Sequence, residues 1–370
     1  MTTRATELLR VVHARPGVTR ADAARLIGVG TGATTELVGK LGQAELLAEG
    51  PVAPSGARGR PTTALIPHPR GPLIAAASIT HEAWRVDVVE LGGGILATAG
   101  EPLAGRAGDE VVAALGAAVR RLRHQYGDRI RGIGVSAPGT VSADLMLDAS
   151  QLGWHDVDLA AAWPKAEVFV AGNDATLAAS AESSRGHAIG AAVALHLRIE
   201  AGLGGAVVDG GKVLIGARGA AGEFGHMPFG DDSVRCPCGA YGCWGTAVDG
   251  SALARLLGHA PPRDPITYAR RIINSPEPGP AGAAATVATA LGKGIAGLVN
   301  ALDADLVTLG GLGVDLLKVA PDRIAEAYEA GLMSFRRASP PPVLAAALGE
   351  DGPLAGAAEE AWTALMSRLV

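Results

Sequence analysis

At 370 residues, 48% hydrophobic and 19% charged, the chain exceeds one ordinary domain and can bury a large core, which excludes an intrinsically disordered protein. Aromatics supply only 4% of it, so the core is expected to be close-packed from Ala, Gly and aliphatic side chains. The net charge of −5 is uneven: residues 1–70 hold nine Lys and Arg against five acids, a segment charge of +4 that leaves −9 for the rest, so only the first segment is expected to meet a polyanion.

Met1 is followed by polar sequence and not by a basic-then-apolar leader. No run of about 18 to 20 apolar residues free of charge is evident, so a cytoplasmic protein without membrane contact is expected. All three cysteines fall within eight residues. An odd number at that spacing suits a metal cluster and not a disulfide framework.

In chain order, Leu8, Leu9, Val11 and Val12 give residues 3–14 a helical pattern that Pro16-Gly17 ends. Thr19 is the expected N-cap of a second helix, with Asp22 three residues on as its partner. That helix runs through Ala24, Leu26 and Ile27 and stops at Gly28. After the turn Gly28-Val29-Gly30-Thr31, a third helix is expected over about 32–44, with Leu37, Val38 and Leu41 on its buried face. Two short helices joined by a Gly-containing turn form a helix-turn-helix. The third helix then offers Thr31, Thr34, Thr35 and Lys40 to base edges and phosphates. Arg58-Gly59-Arg60-Pro61 and the strand-like Thr62–Ile66 read as a wing, whose Arg58 and Arg60 suit the negative potential of a minor groove. A protein-binding helical domain with a solvated basic loop is the plainer alternative; the wing and the charge asymmetry count against it. Pro67-His68-Pro69-Arg70-Gly71-Pro72 is a stiff joint. The expected division is a domain at 1–66, a linker at 67–72 and a large domain at 73–370.

The large domain opens with strands at Leu73–Ser78 and Val86–Leu91, and Gly92-Gly93-Gly94 turns the second into Ile95–Ala97. A helix is expected over about 109–124, then strands at Ile130–Val135 and Val168–Val170, a small-residue helix at Ala175–Glu182, and strands at Val193–Leu197, Gly204–Val208, Lys212–Ile215 and Leu306–Leu309. Strands alternating with helices make an α/β domain of two lobes with a ligand cleft.

Two groups of residues carry chemistry. His226, Cys236, Cys238 and Cys243 offer one imidazole and three thiolates, the donor set of a closed, tetrahedral structural zinc site, with Gly239 and Gly242 letting a tight loop wrap the ion. Four protein ligands leave no position open for a catalytic water. Asn173-Asp174 ends a strand, and Glu223 shares a segment with His226. Carboxylates with Asn and His suit hydroxyl-rich ligands, because each hydroxyl both donates and accepts. Taken alone, Asn-Asp at a strand end is more often a turn or cap.

These residues together resemble the ROK family of repressors and sugar kinases, in particular its regulators with an N-terminal winged helix. The resemblance covers nearly the whole chain. It is carried by Arg58–Pro61, by Gly132–Gly139 as a Pro-Gly loop, by Gly153-Trp154 with Val157-Asp158-Leu159, by Gly172-Asn173-Asp174-Ala175, and by Gly219–His226 with Cys236–Cys243. It implies an all-α winged helix-turn-helix joined to a two-lobed, actin-like, sugar-kinase-like α/β domain. It places Asn173, Asp174, Glu223, His226 and Gly139 at a sugar, with His226 also a zinc ligand and Asp174 where family kinases keep their base.

Departures bear on activity. Ser78-Ile79-Thr80-His81-Glu82 stands where family kinases have an Asp-x-Gly-x-Thr phosphate loop. A phosphate cradle needs bare backbone N–H groups and no nearby anion. Gly202-Leu203-Gly204-Gly205 and Gly310-Gly311 remain, but Glu200-Ala201 precedes the former where a hydroxyl residue is usual. Gly242-Cys243-Trp244-Gly245 replaces the usual Gly-Cys-Leu-Glu, which is expected to enlarge the sugar pocket. The expected protein is therefore not an enzyme, binds no ATP and keeps Asp174 as a vestigial base. It is expected to be a repressor that holds structural zinc, senses a sugar or sugar phosphate, and binds inverted-repeat double-stranded DNA as a homodimer or homotetramer. The alternatives are an active sugar kinase with Asp174 as base, and a ligand-independent DNA-binding protein.

Overall fold

The computed structural model describes residues 3–51, 63–217 and 219–369. They fall into two units, Met1–Gly172 with Ala357–Val370, and Asn173–Gly356.

The amino terminus forms helices α1 (Thr3–Ala14), α2 (Arg20–Leu26) and α3 (Thr31–Gln43). Thr19 caps α2 as expected: its hydroxyl accepts from the Asp22 N–H at 3.1 Å and donates to the Asp22 carboxylate at 2.7 Å. Strands β1 (Leu47–Pro51) and β2 (Thr63–Pro67) then pair antiparallel, with Leu47 opposite Pro67 and Pro51 opposite Thr63. This corrects the all-α expectation for the segment. Leu47 and Leu65 are buried beneath the helices, and the ladder between the strands satisfies their backbone. Arg58 and Arg60 lie outside the described residues. The expected joint is locked in place: the Gly71 N–H donates to the His68 carbonyl at 2.7 Å, and Arg129 Nε donates to the Gly71 carbonyl at 2.9 Å.

The rest of the first unit contains β3 (Leu73–Ile79), β4 (Ala83–Glu90), β5 (Ile95–Pro102), α4 (Gly108–Tyr126), β6 (Ile130–Ala137), β7 (Thr140–Val141), β8 (Met146–Ala149), β9 (Trp154–Asp158) and β10 (Val168–Asn173). One five-stranded sheet has the order β10-β6-β3-β4-β5, and β7-β8-β9 form a small antiparallel sheet. Strand β3 is buried along nearly its whole length and reads as a continuous apolar run, as a central strand covered on both faces must. Helix α4 buries Val111, Val112, Leu115, Val119 and Leu122, a stripe at helical spacing, against sheet residues such as Val86, Val88, Ile133 and Val135.

The second unit contains α5 (Asp174–Arg185), β11 (Val193–Ile199), β12 (Leu203–Asp209), β13 (Lys212–Val213), α6 (Gly245–Val248), α7 (Gly250–Leu256), α8 (Pro265–Ile273), α9 (Pro278–Leu302), β14 (Leu306–Gly311), α10 (Leu312–Val319), α11 (Pro321–Gly331), α12 (Ser334–Arg337) and β15 (Val343–Ala345). Its sheet has the order β13-β12-β11-β14-β15, with β11 parallel to β14 and antiparallel to β12. The last helix, α13 (Gly352–Leu369), begins in this unit and ends in the first. Helix α9 is long and apolar enough by composition to cross a membrane, which the sequence was not expected to hold. Its most apolar stretch is 61% buried, and Val287, Leu291, Ile295 and Val299 sit in the core of the second unit.

Candidate functional site

The second unit gathers His226, Cys236, Cys238 and Cys243, whose donor atoms all lie within 4.8 Å of one another. His226 Nδ1 is 3.7 Å from Cys236 Sγ, and Cys238 Sγ is 3.7 Å from Cys243 Sγ. The loop closes on itself through hydrogen bonds from the Cys236 N–H to the Ala240 carbonyl (2.7 Å) and from the Gly239 N–H to the Cys236 carbonyl (2.9 Å). Gly239 and Gly242 adopt φ of 97° and 69°, the left-handed region that a side chain would strain. Burial first, and then the neighbouring thiols, push the Cys243 thiol up to about 12. Three thiolates therefore do not coexist here without a cation among them. The four side chains could hold a metal ion. The other ring nitrogen, His226 Nε2, lies 3.7 Å from Glu223 Oε2, too far for a hydrogen bond as it stands.

Asn173 and Asp174 stand where β10 becomes α5. Asn173 Oδ1 accepts from the N–H groups of Ala175 (2.9 Å) and Thr176 (3.4 Å), so the capping role weighed for this pair is filled. Asp174 Oδ1 accepts from the Ala175 N–H at 2.8 Å, and Oδ2 lies 4.0 Å from Arg198 Nε. Burial raises the Asp174 carboxyl above the usual carboxylate range; Arg198 works against that, and the Glu223 charge adds to it. Asp174 and Glu223 thus feel one another, and Glu223 leads on to His226. Gly139, by contrast, belongs to the first unit, on the turn between β6 and β7.

Several expected features fall differently. Thr34 is fully buried and its hydroxyl donates to the Gly30 carbonyl at 3.1 Å, so it cannot face a ligand of α3. Helical geometry turns it inward with Val38 and Leu41, four and seven residues on. Thr31, Thr35 and Lys40 are exposed, with Lys40 2.6 Å from Glu36. A Cβ at Gly245 would lie 3.3 Å from the Gly225 carbonyl oxygen and 3.4 Å from the Leu203 nitrogen, so backbone already lines that space. Trp244 is wholly buried, donates from Nε1 to the Ala290 carbonyl at 3.1 Å, and packs edge-on against Phe229. At Ser78–Glu82 the chain makes the β3–β4 turn: Thr80 Oγ1 donates to the Ala83 carbonyl (3.0 Å) and accepts from the Ala83 N–H (3.1 Å).

Sequence reasoning passed over Arg198, which sits inside the apolar strand β11 yet is charged and buried. The signal was available: His196, Arg198 and Glu200 alternate, as residues on one face of a strand do. His196 is pushed down to about 3 by burial and then by Arg198, so it is neutral, with Nδ1 2.9 Å from Thr308 Oγ1.

Residues 87–363 match the ROK family. Kanosamine kinase of Amycolatopsis mediterranei is 33% identical over 258 residues, covering 67% of this chain and 82% of that protein. A crystal structure of a ROK family transcriptional regulator, described as a homologue of the E. coli MLC protein, superposes on 99% of this chain and 97% of its own with a TM-score of 0.77 and 20% identity. A Streptomyces griseus glucokinase in complex with glucose and AMPPNP superposes on 79% of this chain and 99% of its own, with a TM-score of 0.66 and 25% identity. These relatives correct the expectation of a chain that is not an enzyme. Sugar kinases are among the proteins it is similar to, so the altered turn at Ser78–Glu82 does not by itself exclude an enzyme.

Proposed function

Because the chain belongs to the ROK family, we propose that it is a DNA-binding transcription repressor whose family domain binds a sugar. The observation that carries this reading is the length of the match. A kinase of the family uses 79% of this chain, while the regulator extends over 99% of it. We read the surplus as the amino-terminal helices and the β1–β2 pair, taken as a winged helix-turn-helix at residues 1–66 before a joint at 67–72 and a family domain at 73–370. That segment carries +4 in a chain of net −5. Thr31, Thr35 and Lys40 on α3 face the major groove in this reading, and Arg58 and Arg60 add two positive charges to the same segment. A homodimer or homotetramer would present two such helices to an inverted repeat about one helical turn apart.

The sugar is held in this reading by Asn173, Asp174, Glu223 and His226. Zinc is the metal that the cluster suits. Zinc–sulfur bonds of about 2.3 Å in a tetrahedron set sulfurs about 3.8 Å apart, against 3.7 Å between Cys238 and Cys243. Bound there, it would be structural, stiffening the loop from which His226 and Glu223 reach the sugar.

Footprinting on the DNA upstream of the chain's own coding sequence tests the repressor. Protection of an inverted repeat at low salt, relieved by one sugar of a panel, is the expected result; no protection at low salt overturns it. A second reading, phosphorylation of the sugar, is favoured by the kinase relatives and by Asp174. A buried carboxyl held above the usual carboxylate range at a helix start can take the proton of an attacking hydroxyl. ATP turnover with sugar that Asp174→Asn abolishes would establish it.

A further inference from the structure

Arg198 pairs in register with Gly204 on β12 and Gly310 on β14. Neither neighbouring strand therefore lays a side chain beside it. The residue is only 4% exposed. Its Nη2 is engaged by Glu200 and, at 3.1 Å, by Glu350. Its Nε and Nη1 are buried and have no hydrogen-bond acceptor among the described residues. Buried donors without acceptors are unfavourable, and a native site that keeps them has a partner to receive. The nearest candidate acceptor, Asp174 Oδ2, stands 4.0 Å from Nε. That is too long for a hydrogen bond, yet one oxygen atom can sit about 2.8 Å from both. Because Asp174 Oδ1 is taken by the Ala175 N–H, Oδ2 is the oxygen that remains for this purpose.

We propose that Arg198 Nε and Asp174 Oδ2 form the two sides of a slot for a single hydroxyl of an uncharged sugar, the hydroxyl donating to Asp174 and accepting from Arg198. The assignment rests on the sugar-binding reading above and names a residue and a ligand class within it. Charge excludes an anionic group from the slot. Asp174, Glu200, Glu350 and Glu223 surround it against Arg198 and Arg270, so a phosphate would meet a net negative field. Burial opposes the guanidinium charge, but Glu200, Asp174 and Glu350 outweigh it and hold Arg198 protonated.

Isothermal titration of the full chain with D-glucose, D-mannose and D-galactose, their monodeoxy analogues and their 6-phosphates tests the slot. One sugar should bind, and loss of one particular hydroxyl should weaken it about 10- to 100-fold. In Arg198→Met the parent sugar should bind about 10-fold more weakly, with the penalty for that deoxy analogue falling below about threefold. Asp174→Asn should remove the same penalty. Arg198→Lys, which keeps the charge but not the fork of donors, should lie between. Its melting temperature guards against a variant that merely unfolds. An Arg198→Met protein that binds like the wild type with the deoxy penalty intact overturns the slot and leaves the sugar reading standing. A 6-phosphate that binds more tightly than its parent overturns the uncharged class. Should neither Arg198 variant fold, a wild-type scan with no single-hydroxyl penalty overturns the slot. No binding of any sugar by the wild type overturns the sugar reading and the slot with it.

Discussion

Asp249 illustrates what burial does to one carboxylate. It caps α7, its Oδ1 accepting from the Ala252 N–H at 2.8 Å, and it is only 8% exposed. Burial pushes its carboxyl from an ordinary 3.8 up to about 6. Between those values the folded chain keeps a proton that the unfolded chain has lost. Stability therefore falls as pH rises through this window and above it stays lower by on the order of 3 kcal/mol. Asp249→Asn keeps an N-cap and removes the charge. Its advantage over the wild type in urea-unfolding free energy should grow by on the order of 2 kcal/mol from about pH 4 to pH 7. A pH-independent difference would contradict the assignment. Arg198 makes the converse point: a charge can be buried when three carboxylates share it.

At the scale of elements, the metal loop depends on a residue outside it. Cys236, Cys238 and Cys243 come from one tight turn, but His226 comes from the short 3-10 turn Phe224–His226, with Glu223 Oε2 3.7 Å from its outer nitrogen. Removing that carboxylate should loosen the imidazole without deleting a donor. Glu223→Gln is expected to lower metal affinity about 10- to 100-fold in competition with a chelator. Cys238→Ser, which deletes a donor, should lose stoichiometric metal and lower the melting temperature. Full metal content in Cys238→Ser by mass spectrometry would remove the cluster from consideration. Neighbouring core elements tolerate less change still. Trp244 fills the space beside α9 so closely that a Cβ at Gly294 would collide with its ring.

At the scale of the whole chain, the DNA-facing helices of the proposed repressor are no separate bead. Leu8, Leu9 and Val12 of α1 and Leu41 of α3 share one core with Ile74 of β3, with Leu91 and Val168, and with Trp362, Leu365 and Met366 of α13. His13 fastens this core. Its Nε2 is 3.0 Å from Glu359 on α13, its Nδ1 accepts from the Gly92 N–H at 2.9 Å, and its ring lies 5.7 Å from Trp362. Trp362→Ala should therefore cost the first unit about 3 to 5 kcal/mol in chemical unfolding. It should weaken DNA binding in the same variant, although residue 362 lies far along the chain from α3. Undiminished footprinting by a destabilised protein would show that the helices fold independently.

Local pattern carried much of this into view. The helices at 3–14 and 31–43, the Thr19 cap, the continuous apolar strands and the Cys-rich loop are each written within a few neighbouring residues, where periodicity, capping chemistry and donor type operate. The sheet of β7, β8 and β9 and the strand β15 escaped notice because pieces of two to five residues hold too little periodicity to register. Thr34 was misplaced because one helical position turns a residue from solvent to core. The sequence by itself determined the α/β class, the charge split and the donor set of the metal cluster. Only the tertiary structure decided that Arg198 meets Asp174, that Glu223 stands at the outer nitrogen of His226, and that α1 shares its core with α13. The first and last of these join residues tens to hundreds of positions apart, and no local rule specifies which buried donor will face which acceptor until the strands are in register.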